Sequence, residues 1–125
     1  MASKNTILII EDNKMNMELL LDLLEYAGYR ALAAEDGLEG IQAARKKMPD
    51  LILMDVALPG MSGIDATDIL KNDPETAHIP ILAVTSSVME TQKQEIFQHG
   101  FDGLIPKPIN TREILNAIKN YIKVG

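Results

Sequence analysis

The hydrophobic period of this chain switches repeatedly between two patterns. Short apolar runs suited to buried strands alternate with stretches whose apolar residues recur at helical spacing. Thr6 to Ile10 is apolar on both faces and reads as a strand covered on both sides. Asn13 is placed to cap a helix with Met15, Leu19, Leu20, Leu23, Leu24 and Ala27 on its inner face, and Gly28 stops it. Tyr29 to Ala34 is a second strand. Asp36-Gly37 opens a helix with Leu38, Ile41, Ala44 and Met48 on one face and Pro49 at its end. Leu51 to Met54 is the third strand. Leu58 to Gly63 is a loop by its Pro and Gly content, and Ile64 to Lys71 is a short helix. After a turn at Asp73-Pro74 come a fourth strand (Ile79 to Val84), a helix from Val88 to His99 stopped by Gly100, and a fifth strand (Asp102 to Ile105). Asn110 caps a last helix with Ile114, Leu115, Ile118, Tyr121 and Ile122 facing inward.

Strand and helix thus alternate through five repeats, which implies parallel βαβ units with right-handed crossovers. The expected fold is α/β: a flavodoxin-like, doubly wound (βα)5 parallel sheet of strand order 2-1-3-4-5. A Rossmann half is the competing arrangement, but no G-x-G-x-x-G follows the first strand. A chain of 125 residues fits one domain, taken here as 1–125. The absence of cysteine removes disulfide and thiolate-metal frameworks and fits a reducing, cytoplasmic setting. The N-terminal apolar run, Ile7 to Ile10, is too short for a signal core or a membrane span. A net charge of −6 argues against nucleic-acid binding. The basic run Arg45-Lys46-Lys47 falls in a last helical turn, where it complements the helix dipole.

In open α/β sheets, ligands bind beyond the carboxyl ends of the strands where strand order reverses. The first strand ends in Glu11-Asp12, the third in Asp55, the fourth in Thr85-Ser86-Ser87 and the fifth in Lys107-Pro108. Strands one and three are neighbours in the expected order, so three carboxylates converge. Such a cluster needs a counter-ion or a proton. Oxygen donors without Cys or His suit a hard cation such as Mg2+. Three ionised acids against one divalent cation and one lysine sum to zero. Each feature has an ordinary explanation: acids at a helix start, a loop-capping Asp, a hydroxyl cap, a surface Lys. Their coincidence at four strand ends on one rim does not.

The segments Ile9-Ile-Glu-Asp-Asn13, Leu53-Met-Asp-Val-Ala-Leu-Pro-Gly-Met-Ser-Gly63, Ala83-Val-Thr85 and Lys107-Pro108 resemble the receiver domains of two-component response regulators over nearly the whole chain. Glu11-Asp-Asn-Lys-Met-Asn16 is similar to stand-alone regulators of the DivK type and to hybrid-kinase receivers. The resemblance implies that Asp55 accepts a phosphoryl group from the phosphohistidine of a histidine kinase or histidine phosphotransfer protein. It implies Mg2+ ligated by Asp12, Asp55 and the Ala57 carbonyl, with Glu11 acting through a water. Lys107 would supply a charge on the phosphoryl group, and Thr85 would bond a phosphoryl oxygen and move its loop. Pro108 would follow a cis peptide bond. Output would pass by protein contact on the fourth helix, fifth strand and fifth helix, since no effector region follows in this sequence.

One position departs from the family, and two more bear on the lifetime of the phosphate. Leu104 stands where an aromatic residue usually precedes the lysine by three, so a smaller conformational response is expected. Neither Ala57 nor Ser87 can orient an attacking water, so the phosphate is not expected to be unusually short-lived. An aspartyl phosphatase or phosphotransferase is disfavoured because position 57 lacks the second acid that class uses. A flavin or nucleotide carrier is disfavoured because Glu11-Asp12 would repel phosphate where such a protein cradles it. A degenerate receiver that only binds partners is disfavoured by the intact acid set. His78 and His99 are read as surface residues. Asp65 and Asp68 are read as acids favourable to a helix start.

Overall fold

The computed structural model describes residues 5–86 and 90–122. Its elements run β1 (Thr6–Ile10), α1 (Lys14–Tyr26), β2 (Arg30–Ala34), α2 (Gly37–Lys47), β3 (Leu51–Asp55), α3 (Gly63–Lys71), β4 (Ile81–Thr85), α4 (Glu90–Gln98), β5 (Gly103–Pro106) and α5 (Thr111–Lys119). All strand pairs are parallel and the order is β2-β1-β3-β4-β5, as the alternating pattern predicts.

The near-continuous apolar strands follow from burial on both faces. Ile7, Ile9, Leu51, Leu53, Leu82, Val84 and Ile105 turn to one side, where they meet Leu20 and Leu24 of α1 and Ile114 and Ile118 of α5. Leu8, Ile10, Ile52, Met54, Ile81 and Ala83 turn to the other, against Ile41 and Ala44 of α2, Ala66 and Leu70 of α3 and Ile96 of α4. Each large side chain so buried contributes about 1.5–3 kcal/mol.

The three expected helix caps form. The side chains of Asn13, Asp36 and Asn110 accept from the backbone N–H groups of Asn16, Glu39 and Glu113. Ser62 caps α3 in the same way, which the sequence reading did not single out. Gly28 follows α1 with φ +97°, the left-handed conformation that glycine takes without a Cβ penalty.

Several inner faces differ from expectation. Leu20 and Leu24 of α1 are buried as expected, but Met15 and Leu19 are exposed and Met17 is buried in their place. Apolar residues surround much of that helix, so periodicity alone leaves the buried stripe open. Leu38 and Met48 of the α2 set are likewise exposed. Met48 closes α2 in the left-handed conformation (φ 48°), ahead of Pro49. Tyr121 is exposed, and its hydroxyl donates to the Asp102 carbonyl at 2.7 Å. β4 begins at Ile81 rather than Ile79; the start expected for α4, Val88, lies outside the described residues. His99 is no bare surface residue: its Nδ1 lies 2.9 Å from Asp68 Oδ1 and ties the end of α4 to α3. Asp68 therefore serves a tertiary contact rather than the helix start, whereas Asp65 does sit in the first turn. Among the described residues, no helix is long and apolar enough to cross a membrane.

Candidate functional site

The strand order reverses between β1 and β3, and the strand ends there carry the acids. The Glu11 N–H donates to the Ala34 carbonyl at 3.0 Å, extending the β1–β2 ladder one residue past β1. Asp55 is the last residue of β3, paired in register with Val84 of β4. This framing buries both carboxyl-bearing residues, leaving Glu11 2% and Asp55 4% exposed, while Asp12 faces solvent.

Carboxylate oxygens of Glu11, Asp12 and Asp55 lie within 4.8 Å of one another. Lys107, just past β5, reaches across the rim. Its Nζ lies 3.0 Å from Glu11 Oε1 and 3.3 Å from Asp55 Oδ2. The Lys107 N–H donates to the Thr85 carbonyl at 2.9 Å, which fixes the β5 end beside the β4 end. The Lys107–Pro108 bond is cis. Asp55 Oδ1 accepts from the Ala57 N–H at 3.0 Å, so the loop after β3 starts with a turn held by the acid itself. Gly63, the first residue of α3, packs directly over the Asp55 carbonyl, where a Cβ would lie 2.8 Å from Val56 Cα.

Burial raises the Glu11 carboxyl above its ordinary range, the nearby Asp55 adds to this, and Lys107 and the Asn13 N–H oppose it. Burial alone would lower Lys107; the hydrogen bond with Glu11 and the charge of Asp55 outweigh it and leave the ammonium above its usual value. Three ionised acids and one ammonium leave the cluster two negative charges in excess. The donors are all oxygens, with no His or Cys among them. That set fits a hard divalent cation of the Mg2+ kind, which takes one or two carboxylates and keeps several waters.

Thr85 ends β4 and is buried; it pairs in register with Pro106. Leu104 pairs with Ala83, two residues further from the rim, and is partly buried against the α2–α3–α4 side of the core. Ser87 lies outside the described residues. Two contacts escaped the sequence reading. The Asn13 N–H donates to Glu11 Oε2 at 3.2 Å, and the Asn16 amide donates to Glu11 Oε1 at 3.3 Å. The available signal was the spacing, since Asn16 stands one helical turn past the cap.

The profile of the response regulator receiver domain matches residues 7–119. The chain belongs to the response regulator receiver family. It is a phosphoacceptor module of two-component signalling, a class of domains that interacts with histidine kinases or phosphotransfer proteins. The receiver is 43% identical over 117 residues to the polar-differentiation response regulator DivK of Brucella anthropi, covering 94% of this chain and 95% of that one. DivK of Brucella ovis matches to the same extent. Among solved structures, the chemotaxis protein CheY4 of Vibrio cholerae superposes with a TM-score of 0.91 at 27% identity, covering 96% of this chain and all of that one. The receiver domain of a Pseudomonas aeruginosa sensor histidine kinase superposes with a TM-score of 0.88 at 27% identity, over 95% of this chain and 98% of that one. That structure holds a magnesium ion in its active-site cleft.

Proposed function

We propose that Asp55 is the phosphoryl acceptor of this receiver, and that the donor is a phosphohistidine on a histidine kinase or histidine phosphotransfer protein. The observation that carries this reading is the Lys107 ammonium 3.3 Å from Asp55 Oδ2, at the same rim as Glu11 and Asp12.

In the transfer, an Asp55 carboxylate oxygen bonds to phosphorus as the histidine N–P bond breaks. Attack of an anion on an anionic group is slow without charge neutralisation and positioning. The Ala57 N–H holds Asp55 Oδ1, which leaves Oδ2 on the Lys107 side. Lys107 offers a compact point charge to the incoming phosphoryl oxygens. Asp12, Asp55 and the Ala57 carbonyl, with Glu11 through a water, would hold Mg2+, which would supply the remaining charge neutralisation. The Thr85 hydroxyl donates to a phosphoryl oxygen once the group is present. A hydrogen bond to a charged group is worth about 1.5–3 kcal/mol, enough to shift a two-state loop by ten-fold or more.

On this reading residues 1–125 form one receiver unit working in the cytoplasm. It assists its own phosphorylation and dephosphorylation but turns over no metabolite. Its output is a protein contact on the face of α4, β5 and α5, and not a nucleic-acid contact. Leu104, without a hydroxyl or an aromatic ring, makes the response along β5 smaller than the Thr85 loop movement.

The test is incubation with acetyl phosphate, with and without Mg2+, followed by intact mass. A gain of one phosphate that requires Mg2+ and disappears in Asp55→Asn supports the assignment. No gain in wild type, or an equal gain in Asp55→Asn, overturns it.

A further inference from the structure

Glu11 is the longer of the acids at this site, and a free glutamate carboxylate would explore many rotamers. Here both of its oxygens are engaged. Oε1 accepts from Lys107 Nζ at 3.0 Å and from Asn16 Nδ2 at 3.3 Å, and Oε2 accepts from the Asn13 N–H at 3.2 Å. Lys107 comes from the far side of the sheet, past β5. The other two donors come from the start of α1. Among the described residues, the partner then left to Glu11 would be Lys107, on the β5 side.

Asn16 itself is tied to this role by the cap. Its backbone N–H donates to Asn13 Oδ1 at 3.0 Å, so the turn that ends at Asn16 is closed and its side chain stays partly buried beside Glu11. Asn16 is a neutral donor. It can hold a carboxylate without adding positive charge that would oppose a cation.

We infer that Asn16 is a positioning residue of the acidic site: its side-chain amide holds Glu11 in the orientation that serves the divalent cation, and so joins the first turn of α1 to the phosphorylation chemistry. The inference rests on the acceptor reading given above. Groups that orient metal-binding residues from behind typically change metal affinity or activity by 10–100-fold when removed. A displacement of the first turn of α1 is therefore carried to Glu11. Met15, within that turn, is 80% exposed, so a partner touching it has a direct mechanical route to the site.

The test is Mg2+ titration by calorimetry on wild type, Asn16→Ala, Glu11→Ala and the double variant, with thermal midpoints measured in parallel. The expected result is Mg2+ binding weakened on the order of 10-fold in Asn16→Ala, and no further weakening when Asn16→Ala is added to Glu11→Ala. Alanine is a strong helix former, so the helix itself is retained. A second measurement needs no variant. In wild type, the Asn16 side-chain amide resonances should shift with the same Mg2+ midpoint as the Asp12 and Asp55 backbone amides. Unchanged affinity in Asn16→Ala, weakening of equal size in both backgrounds, or an Asn16 amide that does not respond would each overturn the inference. If wild type binds Mg2+ and takes phosphate while Asn16→Ala behaves identically, only the Asn16 role falls. If wild type binds no Mg2+, the acceptor reading falls with it.

Discussion

Gly63→Ala is a sharp probe of how the strand that ends in Asp55 is seated. At most helical positions an alanine in place of glycine stabilises by about 0.4–1 kcal/mol, because it narrows the unfolded ensemble. Gly63 is the first residue of α3, and its N–H donates to the Val56 carbonyl at 3.0 Å, which clamps the helix start onto the end of β3. A Cβ there would overlap the Asp55 carbonyl oxygen and lie 2.8 Å from Val56 Cα and 2.9 Å from Asp55 C. These are backbone atoms and cannot rotate away. Relief requires either that α3 back off or that the Asp55 peptide tilt, and overpacking of this kind costs about 1–3 kcal/mol. Set against the entropic gain, the net loss is about 1–2 kcal/mol, or a midpoint about 4–8 °C lower for a domain of this size. The assay is calorimetric unfolding of the metal-free proteins, with Mg2+ titration of each. To the extent that the Asp55 peptide tilts, Mg2+ binding weakens as well. A midpoint equal to or above wild type would refute the reasoning.

Thr67 of α3 is fully buried, and its hydroxyl has no hydrogen-bond partner among the described residues. Thr67→Val removes that unpaired group at nearly constant volume and should stabilise by about 1 kcal/mol in urea unfolding; a loss of stability would show that the hydroxyl is engaged. Glu11 gives a pH signature. Its folded-state carboxyl is raised above the ordinary 4.5, chiefly by burial, so the folded chain binds that proton more tightly than the unfolded chain. Its contribution to stability is full below 4.5 and is lost as pH rises through the raised value. Metal-free Glu11→Gln, which stays neutral, should therefore gain stability relative to wild type across that window and keep the gain above it. Parallel midpoint-versus-pH curves for the two proteins would contradict this.

The strand ends were readable because each carries a polar residue directly after an apolar run. Glu11, Asp55, Thr85 and Lys107 each follow a β-rich segment, and the parallel topology brings those ends to one rim. The caps at Asn13, Asp36 and Asn110 were readable for a similar reason, as each precedes a helical period. The buried stripe of α1 was not, because Met15, Met17, Leu19 and Leu20 offer more than one apolar face and only the sheet's geometry chooses Met17 and Leu20. Pairs distant in sequence left no trace in any local pattern. His99 with Asp68, Arg45 with Asp73 and Lys71 with Asp102 are examples. Within the site the acids and the lysine were legible, and the neutral amide behind Glu11 was not, because an Asn one turn into a helix ordinarily points to solvent.

Glu11, Asp12 and Asp55 are proposed to hold a divalent cation at one rim of the sheet. Mn2+, a paramagnetic substitute for Mg2+, tests it most directly through the broadening of backbone amide signals. Substoichiometric Mn2+ should first erase the amides of residues 11–13, 55–57 and 107, and excess Mg2+ should restore them. Broadening centred elsewhere, such as on the exposed acids Glu18, Asp22 and Glu25 of α1, would contradict it.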